Sequence, residues 1–434
     1  MLPKEINYNL PVSLPGGVSK TDVNLSPING TNFSCQTAGQ IMQWDLPATG
    51  FMDGKTLSIR YKTTCVSTGF SKIRACPLYT PMSRLEVIFG SQVAQNLTDY
   101  GQIENMVTNL TYNVAQKLSL TGLGYKLEGD DRVMTLQGTD GRHCVGNETN
   151  CLFGPLPCIL SEADRYIPLL FMPVVRVQIT LDSISNIFAP ASVAIPLNLE
   201  TGTPAASVSV VPSDFIISDA VLSYTSINFG EETSNIVRSM GDTIKIKSQS
   251  FGNSSQTIPI NTSGEIELVY SQRLASIKSL FLHCSSTSTN GKFDAYEVTT
   301  NGSVQFNIAS RVYPSSRPLS SAVAHRGTLL LELKKAIGGI YDKNNSMSIN
   351  QQEYLTLGQA STLVNPAKVY YGCNTQVIQS NNVLLSGVST QNSPITARLN
   401  IIVPTLATVN ASLITAYDVL IEVEPASRSA RVIM

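Results

Sequence analysis

MSRLEVIFGSQVAQNLTDYGQIENMVTNLTYNVAQKL, residues 82–118, changes its hydrophobic period partway along. Leu85, Val87 and Phe89 fall at steps of two, which predicts a strand with those three side chains turned inward. Past Gly90, Ile103, Met106, Val107, Leu110, Val114 and Leu118 recur at steps of three, four and seven, so a helix with one apolar stripe is expected over 101–118. The same plan returns in the second half of the chain. There TLLLELKKAIGG, residues 328–339, aligns Leu330, Leu333, Ile337 and Ile340, with Thr328 as N-cap, Lys334 and Lys335 in the last turn and Gly338 and Gly339 as the stop.

Around each helix the sequence is a run of short β-like segments. QIMQWDLPATGFMDGKTLSIRYKTT (40–64) reads as a strand about Trp44, a turn at Asp53 and Gly54, and an alternating strand through Leu57, Ile59 and Tyr61. In VVRVQITLDSI (174–184), Val175, Val177 and Ile179 share one face and Arg176, Gln178 and Thr180 the other. Many short strands with turn signals between them, and no helix after every strand, indicate antiparallel β-sandwiches rather than a parallel α/β sheet. A prior of roughly 150 residues per domain allows two or three domains, and β domains near 200 residues would fill the chain with two. Residues 1–30, rich in Pro, Gly and Asn, are expected to be an extended arm and 31–200 the first β domain. The small-residue and proline-rich stretch 198–214, NLETGTPAASVSVVPSD, supplies a linker at 201–214, and 215–434 make the second domain with a C-terminal tail.

Composition narrows the function classes. Charged residues make up 14 % of the chain against the roughly 25 % usual for globular proteins, so its surface is wetted by uncharged polar groups or covered by partners. With 30 basic and 31 acidic residues, and only Lys4 and Lys20 as basic residues among the first twenty, no direct sequence-specific nucleic-acid binding is expected. The opening MLPKEINYNLPVSLPGG has no apolar core between its prolines, so no signal peptide is expected. The most apolar stretch, YIPLLFMPVVRVQI (166–179), is cut by prolines and an arginine, so no membrane span is expected and synthesis in a cytosol is.

Catalytic chemistry has no residues to rest on. His143, His283 and His325 stand in no recognisable spacing with a nucleophile or carboxylate, and no Walker loop, GxGxxG, HExxH or GxSxG pattern occurs. The carboxylate pairs Asp130 with Asp131 and Glu231 with Glu232 read as solvated turns, so no enzyme, cofactor or metal is expected. His143, Cys144, Cys151 and Cys158 are spaced seven apart at the cysteines, unlike the close pairs that clamp zinc. A loop disulfide among Cys144, Cys151 and Cys158 fits better, with buried free thiols elsewhere among the eight cysteines. Eleven N-x-S/T sequons occur, of which Asn96, Asn147, Asn253, Asn261, Asn301 and Asn344 are the candidates for glycosylation.

Taken in order, the segments resemble the double jelly-roll major capsid proteins of eukaryotic large DNA viruses, virophages and polinton-like viruses. The first half carries WDLPATGFMDGKTLSIRY (44–61), RLEVIFGSQVAQNLTDYGQIENMVTNL (84–110), YIPLLFMPVVRVQITLDS (166–183) and the bridge FIISDAVLSYTSINF (215–229). In the second half SIKSLFLHC (276–284), VYPSSRPLSS (312–321), SINQQEYL (348–355) and YDVLIEVEP (417–425) follow in the family's order. The cysteine-rich loop at 144–158 has no counterpart in that pattern. The resemblance implies an all-β fold of two consecutive eight-stranded antiparallel jelly-roll β-sandwiches, each with a short helix on its flank. It further implies a homotrimer with a pseudo-hexameric outline that tiles an icosahedral virus shell. Neighbouring capsomers, penton and minor capsid or cement proteins would be the partners, with an internal membrane layer at most indirectly. The place would be the virion capsid, built in host cytoplasm or nucleus. The competing class is a viral β-sandwich surface or glycan-binding attachment protein, but aromatic residues, 7 % of the chain, are not clustered as stacking platforms for sugars.

Overall fold

The computed structural model describes residues 18–67, 71–112, 143–144, 149–188, 194–197, 205–208, 211–231, 235, 243–286, 292–293, 301–338, 369–377, 385–405 and 407–434. In the first half, eight strands carry the framework: β1 (Ser19–Leu25), β2 (Ile41–Leu46), β3 (Phe51–Val66), β4 (Met82–Phe89), β5 (Gln92–Thr98), β6 (Thr149–Pro155), β7 (Val175–Leu181) and β8 (Asp214–Asn228). They form two antiparallel sheets in the orders β1-β8-β3-β6 and β2-β7-β4-β5. Helix α1 (Tyr100–Thr111) follows β5.

The second half repeats this topology strand for strand. β9 (Ile244–Ile258), β10 (Gly264–Tyr270), β11 (Ile277–Ser286), β12 (Ser303–Ile308), β13 (Arg311–Tyr313), β14 (Tyr370–Asn374), β15 (Ile395–Ile401) and β16 (Val409–Glu424) pair as β9-β16-β11-β14 and β10-β15-β12-β13. Helix α2 (Arg326–Gly338) lies between β13 and β14, as α1 lies between β5 and β6. Each strand of one barrel thus has its equivalent eight places later, and the fold is a double jelly roll.

Alternation explains why these segments are strands. Along β7, Val175, Val177, Ile179 and Leu181 are buried while Arg176, Gln178 and Thr180 are half-buried, and β4 alternates in the same way. The inward faces meet over Trp44, Tyr61, Phe171, Phe188 and Phe215 in the first barrel and Tyr270, Phe281, Tyr370 and Tyr371 in the second, all fully buried. Burying such a side chain contributes roughly 1.5–3 kcal/mol. These residues set each sandwich's thickness.

Three expectations change. The arm at 1–30 contains β1, whose Ser19 to Leu25 pair with Asn228 to Leu222 of β8. β8 itself, expected to open the second domain, pairs with β1 and β3, so the two sheet systems divide after Asn228 rather than at 201–214. Within the expected linker, Ala205–Val208 pairs with Ala194–Leu197 in a small hairpin on the way from β7 to β8. Hydrophobic pattern identifies β8 as a strand but says nothing of which strands lie beside it. The turn expected at Asp53 and Gly54 is also displaced. The chain turns at 47–50, and Asp53 to Leu57 form a bulge inside β3, where the register to β8 jumps from Thr225↔Asp53 to Ser223↔Ser58.

The helices are shifted as well. Thr328 lies inside α2 rather than at its cap, and the buried face runs through Leu329, Leu333, Ala336 and Ile337 instead of Leu330. This face packs on β14 and β11, where a Cβ built on Gly372 would lie 2.6 Å from Leu333 Cδ1. Ser279 Oγ donates to the Ala336 carbonyl at 2.7 Å and Asn374 Nδ2 to that of Lys335 at 3.1 Å, so the sheet caps the helix end. Val114, Leu118 and Ile340 fall outside the described residues.

Candidate functional site at the seam between the barrels

Helix α1 is not a flank helix with a wet outer face. Ten of its twelve residues are buried, including the polar Gln102, Glu104, Asn105, Thr108 and Asn109. Ile103, Met106 and Leu110 fill the first barrel's core, while the polar side meets the second barrel. Gln102 Nε2 donates to the Lys292 carbonyl at 2.9 Å and also contacts His283 Nδ1. Asn105 Nδ2 reaches the Phe293 carbonyl at 3.2 Å.

Edge strand β5 and edge strand β9 face each other across this seam. Gln95 Nε2 donates to Ser250 Oγ at 2.7 Å, Ser248 Oγ to the Ile159 carbonyl at 2.7 Å, and Asn253 Nδ2 to Asp99 at 3.1 Å. At the far end, Asp164 and Lys247 exchange hydrogen bonds, Lys247 N to Asp164 Oδ1 at 3.0 Å and Asp164 N to the Lys247 carbonyl at 2.9 Å.

Charges are sorted by barrel. Lys292 of the second barrel sits 2.8 Å from Asp99 and 3.0 Å from Asp182 of the first. Burial works against its charge, but the two carboxylates outweigh it and its pKa is raised. From Glu162 of the first barrel, a chain of contacts runs inward: Gln249 Nε2 donates to Glu162 at 2.9 Å and Lys278 Nζ to Gln249 Oε1 at 3.3 Å. It ends on Asp418, fully buried on β16. Asp418 Oδ1 lies 3.8 Å from Lys278 and 3.9 Å from Lys247, while Oδ2 accepts from Ser276 Oγ, Ser386 N and Ser386 Oγ at 2.8–2.9 Å. Burial lowers the Lys278 pKa; Asp418 opposes the shift and Lys247 adds to it.

Glu104 has its pKa pushed well above the ordinary 4.5, by burial first and by Glu162 second. The native state therefore keeps this proton at pH values where the unfolded chain has lost it. Stability from this group is fully present below about 4.5 and declines as pH rises towards the raised value. Glu104→Gln, which mimics the protonated acid, is expected to raise the thermal midpoint at pH 8 and leave it unchanged at pH 4. The gain should be about 3 °C for each kcal/mol recovered. Equal midpoints at both pH values in calorimetry would refute this.

The seam also fixes the barrels' relative direction. Connections leaving β1, β3, β5 and β7 lie at one end of the first barrel, and those leaving β9, β11, β13 and β15 at one end of the second. α1 and Asp182, at that end of the first barrel, meet Lys292 and Phe293, at that end of the second; Glu162 and Asp164, at the opposite end, meet Lys247 and Gln249. The barrels stand side by side and point the same way. The longest connections, 99–148 and 314–369, leave from the same end, and the opposite end has tight turns at 47–50, 90–91 and 309–310.

The remaining candidates are scattered. Asn253 is part of the seam, with its amide on Asp99 and its Oδ1 buried, an environment closed to a glycan. Asn96 is exposed and accepts from Arg84 at 2.8 Å, while Asn261 and Asn301 hold left-handed turn positions with φ of 63° and 62°. Asn147, Asn344, Asp130, Asp131 and Glu232 fall outside the described residues. The expected loop bridge is not formed at Cys151 or Cys158, whose thiols are free. Cys151 is exposed on β6, and Cys158 is buried with its pKa pushed up to about 11 by desolvation. Cys144 pairs through its backbone with Ser71. Cys35, Cys284 and Cys373 are buried free thiols, and Cys65 and Cys76 are buried as well. His283 is buried and stacks on Tyr370 with ring centroids 5.6 Å apart, whereas His325 is exposed ahead of α2. Among the described residues no three His, Cys, Asp or Glu side chains gather as a metal site. Sequence reasoning missed Gln95, Gln102, Ser248 and Ser250, because a polar residue on an outward face looks the same whether water or another barrel covers it.

No protein-family model matches the sequence, and no curated protein sequence does. Solved structures do match in fold. The Faustovirus major capsid protein superposes with a TM-score of 0.63 at 10 % identity, over 96 % of this chain and 92 % of that one. A chain of the Sputnik virophage gives 0.53 at 11 % identity, over 100 % and 92 %, and the mavirus major capsid protein gives 0.52 at 10 % identity, over 100 % and 94 %. At such identities the fold is what is shared, and it is shared along essentially the whole length.

Proposed function

We propose that this chain is a viral major capsid protein that trimerises into pseudo-hexameric capsomers and tiles an icosahedral shell. The observation that carries the reading is the pair of upright barrels locked side by side with the same polarity. Such a unit has an outer face and an inner face, and repeating it sideways makes a wall. Support comes from the fold likeness to capsid proteins over nearly the full length of both chains. The low proportion of charge, 14 %, suits a chain that covers its sides with copies of itself, since interface centres are depleted in charge. The chain would act without a cofactor or catalytic step, within the virion, after assembly in host cytoplasm or nucleus. Its further partners would be pentons and minor capsid or cement proteins.

Light scattering on the purified full chain is expected to give about 140 kDa, three times the 46.8 kDa chain. A monomer at tens of micromolar would overturn the reading. Negative-stain images of the same sample should show six-lobed plates.

A further inference from the structure

The first barrel departs from the second where β8 loses its neighbour. β1 pairs with β8 as far as Leu25↔Leu222, and the short strand Asn32–Ser34 takes up the pairing again at Asn32↔Ser218. Between them residues 26–31 swing away and leave Asp219, Ala220 and Val221 uncovered on that side. Towards β3 the register passes from Ser218↔Lys62 to Val221↔Arg60, so Asp219 and Ala220 bulge against Tyr61 alone, with Asp219 left-handed at φ 49°. In the second barrel the equivalent strands, β9 and β16, pair without a break from Ile244↔Val423 to Ile258↔Val409.

The detour and the bulge open a cavity of about 500 Å³ on the outer face of the sheet, with Ser26, Pro27 and Thr31 on one wall and Arg60, Lys62 and Cys151 on the other. The first wall is fixed. Ile28 N donates to the Gln43 carbonyl at 2.8 Å, Asn29 Nδ2 to that of Ile41 at 2.6 Å, and Asn29 Oδ1 accepts from Gln43 N at 3.1 Å, which ties the detour to β2. The cavity is thus built into the strand pairing, and no side chain has to move to form it.

Its charges select a ligand. Lys62 Nζ lies 2.8 Å from Asp219 Oδ2, so these two compensate each other. Arg60 has no ion pair or hydrogen bond among the described residues, and its guanidinium is the open group of the cavity. A planar fork of donors with one uncompensated charge matches a carboxylate, which takes two parallel hydrogen bonds from it. The Ser26 and Thr31 hydroxyls and the remaining lone pairs of Asp219 match hydroxyl groups, and Pro27 offers an apolar surface to a ring. A phosphate dianion would bring a second negative charge against Asp219 and leave that acceptor unused.

We infer that this cavity binds an acidic saccharide, a sugar carrying one carboxylate, with the carboxylate on Arg60 and the ring hydroxyls on Asp219, Ser26 and Thr31. The volume falls within the roughly 300–1,000 Å³ of small-ligand sites. The site belongs to a single chain and does not depend on the assembly proposed above. Each copy carries it once, on the first barrel.

The test titrates the purified full chain calorimetrically with glucuronic acid, glucose and inorganic phosphate. Glucuronic acid is expected to bind with a dissociation constant of about 1 mM, and glucose and phosphate at least about tenfold more weakly. Arg60→Ala should weaken glucuronic acid by about tenfold or more, the effect of losing a charged hydrogen-bonding partner, with an unchanged thermal midpoint because Arg60 is exposed. Cys151 supplies a second readout, since its thiol is exposed in the cavity wall. Saturating glucuronic acid should slow its alkylation by iodoacetamide, followed at that residue by peptide mass spectrometry, in the parent but not in Arg60→Ala. Should Arg60→Ala not fold, Arg60→Lys, which keeps the charge and loses the fork, is expected to show the same weakening. Phosphate binding as tightly as glucuronic acid overturns the saccharide assignment. Glucuronic acid that binds equally well to the Arg60 variant, or that leaves Cys151 unprotected, overturns the site, as does a parent that binds no glucuronic acid at tenfold the expected constant.

Discussion

Asp418→Ala is expected to be the most destabilising single change in the second barrel, by about 3–5 kcal/mol, the usual loss when one partner of a buried ion pair is removed. The carboxylate is fully buried and is the counter-charge for Lys247 and Lys278, of which Lys278 is itself buried. Its other oxygen organises the segment around Ser386 by accepting from that residue's amide and hydroxyl and from Ser276. Removing it leaves two ammonium groups without their acid and three donors without an acceptor. Asp418→Asn keeps the acceptor for the serines but not the charge, so it should fall between the parent and the alanine variant. Adding Lys278→Met to Asp418→Ala should return part of the loss, because the orphaned buried charge goes with it. Chemical denaturation measures all three. An Asp418→Ala loss under 1 kcal/mol would show that the pairing is not what holds this region.

Gly54→Val is expected to prevent the first barrel from closing. A Cβ at this position would lie 1.9 Å from the Leu160 carbonyl oxygen and 3.0 Å from its carbon, backbone atoms that have no rotamer to yield. The bulge that brings Gly54 there is held on both sides: Thr56 Oγ1 donates to the Asp53 carbonyl at 2.7 Å and accepts from Thr225 N at 2.9 Å. Overpacking ordinarily costs about 1–3 kcal/mol, and a clash with fixed backbone belongs at or above that range. Even Gly54→Ala should be strongly destabilised. Ile159 and Leu160 lie next to the Ser248 contact, so the damage should reach the seam and lower the second barrel's midpoint too. Trp44, the single tryptophan, is buried in the first barrel, so fluorescence follows that barrel alone while circular dichroism follows both. An alanine variant whose fluorescence midpoint matches the parent's would contradict the close approach.

How far the fold could be read in advance depended on what each residue's neighbours are. Period-two alternation at Val175, Val177 and Ile179 reports a strand with one buried face, and the structure has that strand with those residues inward. The stripe Ile103, Met106 and Leu110 likewise reports one core-facing side of a helix. Periodicity is a local signal and stops there. It does not reveal that β8 returns to β1, nor that Gly54 lies under Leu160, because both depend on chain segments far away in sequence. The shift from Leu330 to Leu329 on α2 arises where three consecutive leucines, 329 to 331, let the stripe be drawn in more than one register. The seam was the least legible part. Its work is done by Gln, Asn, Ser and sorted charges, which as a sequence read as ordinary solvated surface.

The pairing of Ser19 with Asn228 sets the order in which the protein can acquire its shape during synthesis. The strand that completes the first sheet leaves the ribosome some two hundred residues after the strand it must join, and Ile244 likewise waits for Val423 in the second barrel. Contacts of such long sequence separation fold slowly, because the loop must close before the pairing rewards it. Until residue 228 is out, β3 has β6 on one side and an open edge on the other. A nascent chain of this design is thus exposed to mispairing with identical chains on the same message for much of its synthesis. Slowing translation just past residue 228, where the chain passes from one barrel to the next, would give the first barrel time to close before the second one's strands emerge.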